Sequence, residues 1–348
     1  VQSSAATGQV QLASFDATPP SGGAQDCIVT KTGGPAFNRP NGSSQGRRAL
    51  SRAFDGSGQG YGTAACAGPL DVAGQVDFAR SSSGPSSSEV PGNDLAYVPL
   101  ARDALSFAYY RADGGAVADT LTRAQLTSLF SGTGAQTING VRVLPCGIQD
   151  GSGTYGFWLK ATDVTSAQDD TATAECNAFF SGNGLGGRAQ ENDGVALKER
   201  GDAAEAAVPG TQVIIGFSAG AYIAKSNGVA EPTPPAGVEM GQISNDGSGN
   251  NLGLPIQGTA PNLAPVGAFY NNGTFGRTVY NVLPTATVNS LFGNETIKSL
   301  FRDNLATPGV NESTICAETS TIELLGFLVA PDCGDTTSLT STFKSGTL

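Results

Sequence analysis

The sequence predicts an α/β protein, and two observations carry that expectation. Short apolar strand-like runs alternate with short helical runs along the chain, and no internal repeat interrupts the alternation. Strands are expected at Val10–Phe15, Val76–Ala79, Leu95–Leu100, Leu105–Tyr110, Val141–Pro145, Val213–Phe217 and Thr278–Leu283. Helices are expected at Ser44–Phe54, Thr122–Phe130, Gly153–Lys160, Ala219–Ser226, Glu295–Asn304 and Ile315–Leu325. The Thr122–Phe130 segment sets Leu126, Leu129 and Phe130 on one face and stops at Ser131-Gly132. Such alternation implies a largely parallel sheet or sheets. Long Gly/Ser/Pro-rich loops (Pro19–Ala24, Asp55–Thr63, Ser81–Asn93, Ser181–Gly187 and Ala230–Leu254) read as surface elaborations on a compact scaffold. The tail Ser338–Leu348 is Ser/Thr-rich and reads as a loose terminus or as an edge strand.

The chain has 348 residues, enough for two ordinary domains. A net charge of −11, with no basic cluster beyond Arg47-Arg48, argues against nucleic acid and against anionic membrane surfaces. No apolar run approaches a bilayer span. Residue 1 is Val rather than Met, from which we expect that a leader has been removed and that the protein is secreted, extracellular or at the cell surface. Six dispersed cysteines suit an oxidising compartment, and the local pairing Cys27–Cys66, Cys146–Cys176 and Cys316–Cys333 is expected among the many possible. With no C-x-x-C and no histidine, no metal site and no cofactor are expected. Four N-x-[ST] sequons stand at Asn41, Asn272, Asn294 and Asn311.

The stretch Gly216-Phe217-Ser218-Ala219-Gly220 fits the G-x-S-x-G nucleophile elbow, between an apolar strand and a helix. A serine nucleophile needs a base, and a chain with 0 histidines cannot supply the usual one. A Ser–Lys arrangement with Lys225, seven residues on, is conceivable, and nothing in the sequence places its amine against Ser218. The protein is therefore expected not to be an enzyme, and Ser218 to cap or pack a tight strand-to-helix turn.

Three other strand ends carry hydroxyls and glycines. Asp150-Gly151-Ser152-Gly153-Thr154 follows the Val141–Pro145 strand and opens a helix, so that N–H groups and hydroxyls can cradle an oxyanion. Asn41-Gly42-Ser43-Ser44 precedes another helix. Arg80-Ser81-Ser82-Ser83 ends the Val76–Ala79 strand with one cation among several donors.

Together these segments resemble the phosphate-binding, substrate-binding proteins of ABC transporters, which have the two-lobed type II periplasmic-binding-protein fold. "QVDFARSSSGPSS" resembles their V-D-F strand end, "NGSSQG" their G-S-S turn, "LTRAQLTSLFSG" a second-lobe helix, and "IQDGSGTYGFWL" their R-x-D-G-S-G-T anchor. "GFSAGAYIAKSNG" and "GRTVYNVLP" resemble the later strands. The resemblance implies a first lobe of residues 1–104 plus about 268–348 and a second of about 105–267. It implies a small oxyanion, phosphate first, captured between the lobes for uptake, with an ABC permease as partner. The implied ligand set is Ser43, Ser44, Arg80, Ser82, Asp150, Ser152, Gly153 and Thr154. The family's arginine falls on Ile148 and its aspartate on Ser82, so Arg80, and less strongly Arg47 or Arg188, is the expected replacement cation. The first strand–loop–helix unit of the family looks absent or much shortened, which would leave a sheet edge open. From this follows a second reading: an extracellular structural or fibre subunit with a degenerate pocket, self-associating by strand addition.

Overall fold

The structure, a computed structural model, describes residues 27–55, 66, 72–85, 91–289, 295–302 and 313–344. The expected strand Val10–Phe15 lies outside them. The chain divides into two compact units, cut at Pro99/Leu100, Val279/Tyr280, Ile315/Cys316 and Cys333/Gly334. The expected crossings lay at Ala104 and about residue 267, with 316–333 in the first lobe. That last segment instead packs in the second unit, where Cys316, Ala330 and Cys333 form a buried cluster with Leu100 and Val329.

In the first unit, helix α1 (Ser43–Phe54) buries Leu50 against Ala79, Leu95, Tyr97 and Val282. The strand expected at Val76–Ala79 starts later, at Ala79–Ser81, and pairs antiparallel with Tyr280–Val282. The described part of the tail is held by pairing. Thr340–Ser341 pairs antiparallel with Leu95–Ala96 of its own chain, and the Lys344 N–H donates to Ser51 Oγ at 2.9 Å.

In the second unit, the segments expected as two strands, Leu95–Leu100 and Leu105–Tyr110, are one strand, Leu95–Arg111, which passes from the first unit into the second. Its distal half pairs antiparallel with Thr211–Ser218, with Leu105 opposite Ser218. Thr211–Ser218 runs parallel to Val141–Pro145, which is antiparallel to Gln136–Ile138. The only other parallel ladder among the described residues joins Thr120–Thr122 to Gln242–Asn245. The expected parallel sheet is thus largely antiparallel, because the long strand is flanked by chain that returns from far away rather than by successive βαβ units.

Helices α2 (Arg123–Ser131), α3 (Gly153–Thr162), α4 (Ser166–Ala178), α5 (Gly194–Ala207) and α6 (Ala219–Ser226) accompany this sheet. Thr122 and Gln125 form a capping box on α2, and Thr165 and Gln168 form one on α4. The core is continuous from Leu105 and Phe107 through Leu126, Phe130 and Trp158 to Ile214 and Phe217. The segment expected as one helix, Ile315–Leu325, is two short ones, Thr314–Ala317 and Thr319–Leu324. All three disulfides pair as expected, Cys27–Cys66, Cys146–Cys176 and Cys316–Cys333. Among the described residues no helix is long and apolar enough to cross a membrane, and no cluster of His, Cys, Asp or Glu could hold a metal ion.

Candidate functional site

The loop that enters α3 is built by its neighbours. After the Val141–Pro145 strand, the Gly147 N–H donates to Asn177 Oδ1 at 3.1 Å, and the Gln149 N–H donates to the Ala189 carbonyl at 2.8 Å. Gly151 turns the chain with φ 79°, a conformation that L side chains rarely adopt, and a Cβ added there would meet only open space. Ser152 then caps α3, its Oγ accepting from the N–H groups of Thr154 (3.1 Å) and Tyr155 (3.2 Å). The Ser152 hydroxyl also donates to the Glu191 carboxylate. Ser152, Gly153 and Thr154, brought to one helix start as expected, are all buried.

Thr154 Oγ1 accepts from Arg277 Nη2 at 3.0 Å. The same guanidinium donates to Asp103 Oδ2 through Nε (3.0 Å) and Nη2 (2.7 Å). Asp103 is fully buried and Arg277 nearly so, at 5% exposed. Such a pair survives desolvation only when its remaining valences are filled. Here the carboxylate also accepts from Ser218 Oγ (2.9 Å to each oxygen), the Ala104 N–H (2.8 Å) and the Gly220 N–H (3.1 Å). Gly220 allows that approach, since a Cβ there would stand 3.1 Å from Asp103 Oδ1 and 2.9 Å from the Phe327 ring. Gly216 does the same for Trp158, whose ring would lie 2.5 Å from an added Cβ. The G-x-S-x-G pattern is therefore met by close packing. Ser218 is 2% exposed, donates to Asp103 and accepts the Ala221 N–H as the cap of α6. Lys225 Nζ turns instead to the Asn192 carbonyl at 2.8 Å, and burial pushes its pKa down.

Three side-chain nitrogens in this neighbourhood are buried and have no acceptor, Arg277 Nη1, Gln149 Nε2 and Trp158 Nε1. Gln149 is 1% exposed, and its Oε1 accepts the Glu191 N–H at 3.4 Å.

No protein-family model matches the sequence, and no curated protein matches it. Solved structures do. An ABC-type phosphate transport receptor from Vibrio cholerae is 14% identical over 74% of this chain and 81% of its own, with a TM-score of 0.42. A phosphate binding protein from Stenotrophomonas maltophilia is 15% identical over 84% of this chain and 83% of its own, with a TM-score of 0.41.

The other residues named from the sequence are distributed as follows. Asp150 is exposed and reaches Arg188 Nε at 3.5 Å. Arg188 is committed elsewhere, to Asp169 at 2.9 Å, to Asp170, and to the Ile148 carbonyl at 3.0 Å. Burial raises the Asp169 pKa against the pull of Arg188, and burial together with Asp169 raises that of the Tyr155 phenol. In the first unit, Ser43 and Ser82 come together, the Ser82 N–H donating to Ser43 Oγ at 3.0 Å with the two hydroxyls 3.2 Å apart. Ser44 sits half-buried in the first turn of α1. Arg80 is exposed on its strand, whereas Arg47 is buried and donates to Ser81 Oγ (2.9 Å) and the Gly84 carbonyl (3.0 Å). The cation buried beside these serines is thus Arg47. Of the sequons, Asn41 is buried and Asn272 spends its side chain on Asp246 and on two backbone N–H groups. Asn294 and Asn311 lie outside the described residues.

The sequence reading missed Asp103, Arg277, Gln149 and Glu191. Asp103 carried a signal, being with Arg102 one of two charges inside the otherwise apolar run Leu95–Tyr110, where a buried carboxylate needs a partner.

Proposed function

We propose that the chain is a secreted binding protein that captures a small oxyanion, phosphate first, at the start of α3 in its second unit, and delivers it to an ABC permease. The observation that carries this reading is the convergence at Thr154 of a buried hydroxyl, a helix N-terminus and the Arg277 guanidinium. The helix dipole at the α3 start and a hydroxyl favour an oxyanion even in a protein of net charge −11, because local dipoles and hydrogen bonds dominate at contact distance. The D-G-S-G-T resemblance supports the same place. Within the first unit, Ser43, Ser44 and Ser82 are proposed as a separate group of hydroxyl donors, with Arg47 rather than Arg80 the buried cation on the neighbouring Ser81. No chemistry is proposed at Ser218, whose proton is already directed to a carboxylate that Arg277 neutralises. Calorimetric titration of refolded, phosphate-free protein with phosphate and with sulfate tests the reading. Saturable heat with phosphate is expected, and Ser152→Ala with Thr154→Ala should abolish it. Absence of both heat and thermal stabilisation at millimolar anion would sink it.

A further inference from the structure

We infer that Gln149 Nε2 and Arg277 Nη1 are the side-chain donors that a bound oxyanion satisfies, so that Arg277 supplies the second unit's ligand-facing cation. The inference rests on the reading just given and adds residues that the sequence resemblance does not name.

A buried donor without an acceptor is strongly unfavourable, and such groups in a folded protein call for an explanation. Of the buried polar atoms without a partner, Gln149 Nε2 and Arg277 Nη1 border the loop that enters α3, whereas Tyr155 Oη and Trp158 Nε1 belong to the helix itself. Gln149 lies three residues before the α3 cap Ser152, and Arg277 bonds to Thr154, two residues after that cap. Both are donors, and the Asp103 carboxylate beside Arg277 is filled. Asp103 already receives Arg277 Nε and Nη2, Ser218 Oγ and two backbone N–H groups. Glu191 Oε2 receives Ser152, and Gln149 Oε1 receives the Glu191 N–H, which leaves the Gln149 amide oriented with its nitrogen unpaired. The missing partner is therefore an acceptor. A ligand with several acceptor oxygens and few donors fits, which is the chemistry of phosphate, arsenate or sulfate.

Asp103 makes Arg277 a fixed donor. With two of its nitrogens bonded to Asp103 the guanidinium plane is set, and Nη1 projects in one direction only. Asp103 is itself held from three further sides, so Ser218 is a positioning residue one step behind. Because Asp103 balances the charge, recognition rests on directed hydrogen bonds more than on net attraction.

The test uses the full chain with inorganic phosphate as probe, and two variants. Gln149→Leu removes an unsatisfied buried donor, so the ligand-free protein should melt at or above the wild-type temperature while its phosphate dissociation constant rises about tenfold. Arg277→Lys keeps a cation against Asp103 but removes the fork, and should weaken phosphate by about tenfold or more. A merely structural role predicts the opposite pattern for Gln149→Leu, a lower melting temperature with unchanged affinity, and that result overturns the inference. Wild-type protein that binds phosphate, with both variants binding equally well, overturns it too while leaving the proposed function standing. Wild-type protein that binds neither phosphate nor sulfate removes both. Should Arg277→Lys fail to fold, Gln149→Leu decides alone.

Discussion

Ser218 Oγ lies 2.9 Å from each carboxylate oxygen of the buried Asp103, while the same oxygen accepts the Ala221 N–H at 3.1 Å. One hydroxyl thus caps α6 and fills a valence of the Asp103–Arg277 pair. Ser218→Ala removes both functions, and a loss of about 1–3 kcal/mol is expected from the cap and the charge-assisted bond together. The shift in denaturant midpoint at constant slope measures it. An unchanged midpoint would contradict the assigned role.

Asp103 should be the more sensitive position. Asp103→Ala leaves Arg277 buried without its counter-charge, and removing one partner of a buried pair costs roughly 3–5 kcal/mol. Asp103→Ala together with Arg277→Met should recover a large part of that loss, which a double-mutant cycle in urea would show.

The Cys146–Cys176 bridge ties the end of a core strand to α4, and both cysteines are fully buried. With a sequence separation of 30, opening it by Cys146→Ser and Cys176→Ser should destabilise the protein by about 3–4 kcal/mol. Thermal unfolding checks this, and the double variant should also weaken anion binding, because Cys146 leads directly into the Gly147–Gly151 loop.

Asp246 sets an acid limb. Burial opposes its ionisation, but the side chains of Asn250 and Asn272 and the N–H groups of Ser248 and Asn250 hold its pKa down to about 2. An unfolded aspartate titrates near ~4, so the unfolded chain takes up the proton first on acidification. The stabilisation is fully present above the unfolded value and is lost as pH falls toward about 2. Unfolding curves across that window should show wild-type stability falling faster than that of Asp246→Asn. Parallel curves would contradict the assignment.

Much of the fold was legible in the sequence because local patterns carried it. The Thr122–Gln125 box announces α2, and the run at Ala219–Ser226 matches α6 residue for residue. Helices α4 and α5 were not legible. The buried face of α4 is made of Asp169, Ala172, Thr173, Cys176 and Asn177, and that of α5 includes Arg200 and Gly201, so neither shows an apolar stripe. Gly201 is there because a Cβ would stand 2.3 Å from the Tyr110 ring, a tertiary fact that no local pattern encodes. The site divides in the same way. Ser152 and Thr154 belong to one contiguous motif that a sequence displays, whereas Arg277 lies 123 residues from Thr154 and 174 from Asp103 and meets them only in the fold.

A crystal soaked in phosphate tests the central claim most directly. Tetrahedral density within hydrogen-bond distance of Thr154 Oγ1 and of the Arg277 guanidinium is the predicted result. Density for phosphate elsewhere, with the α3 start empty at saturating ligand, would contradict it.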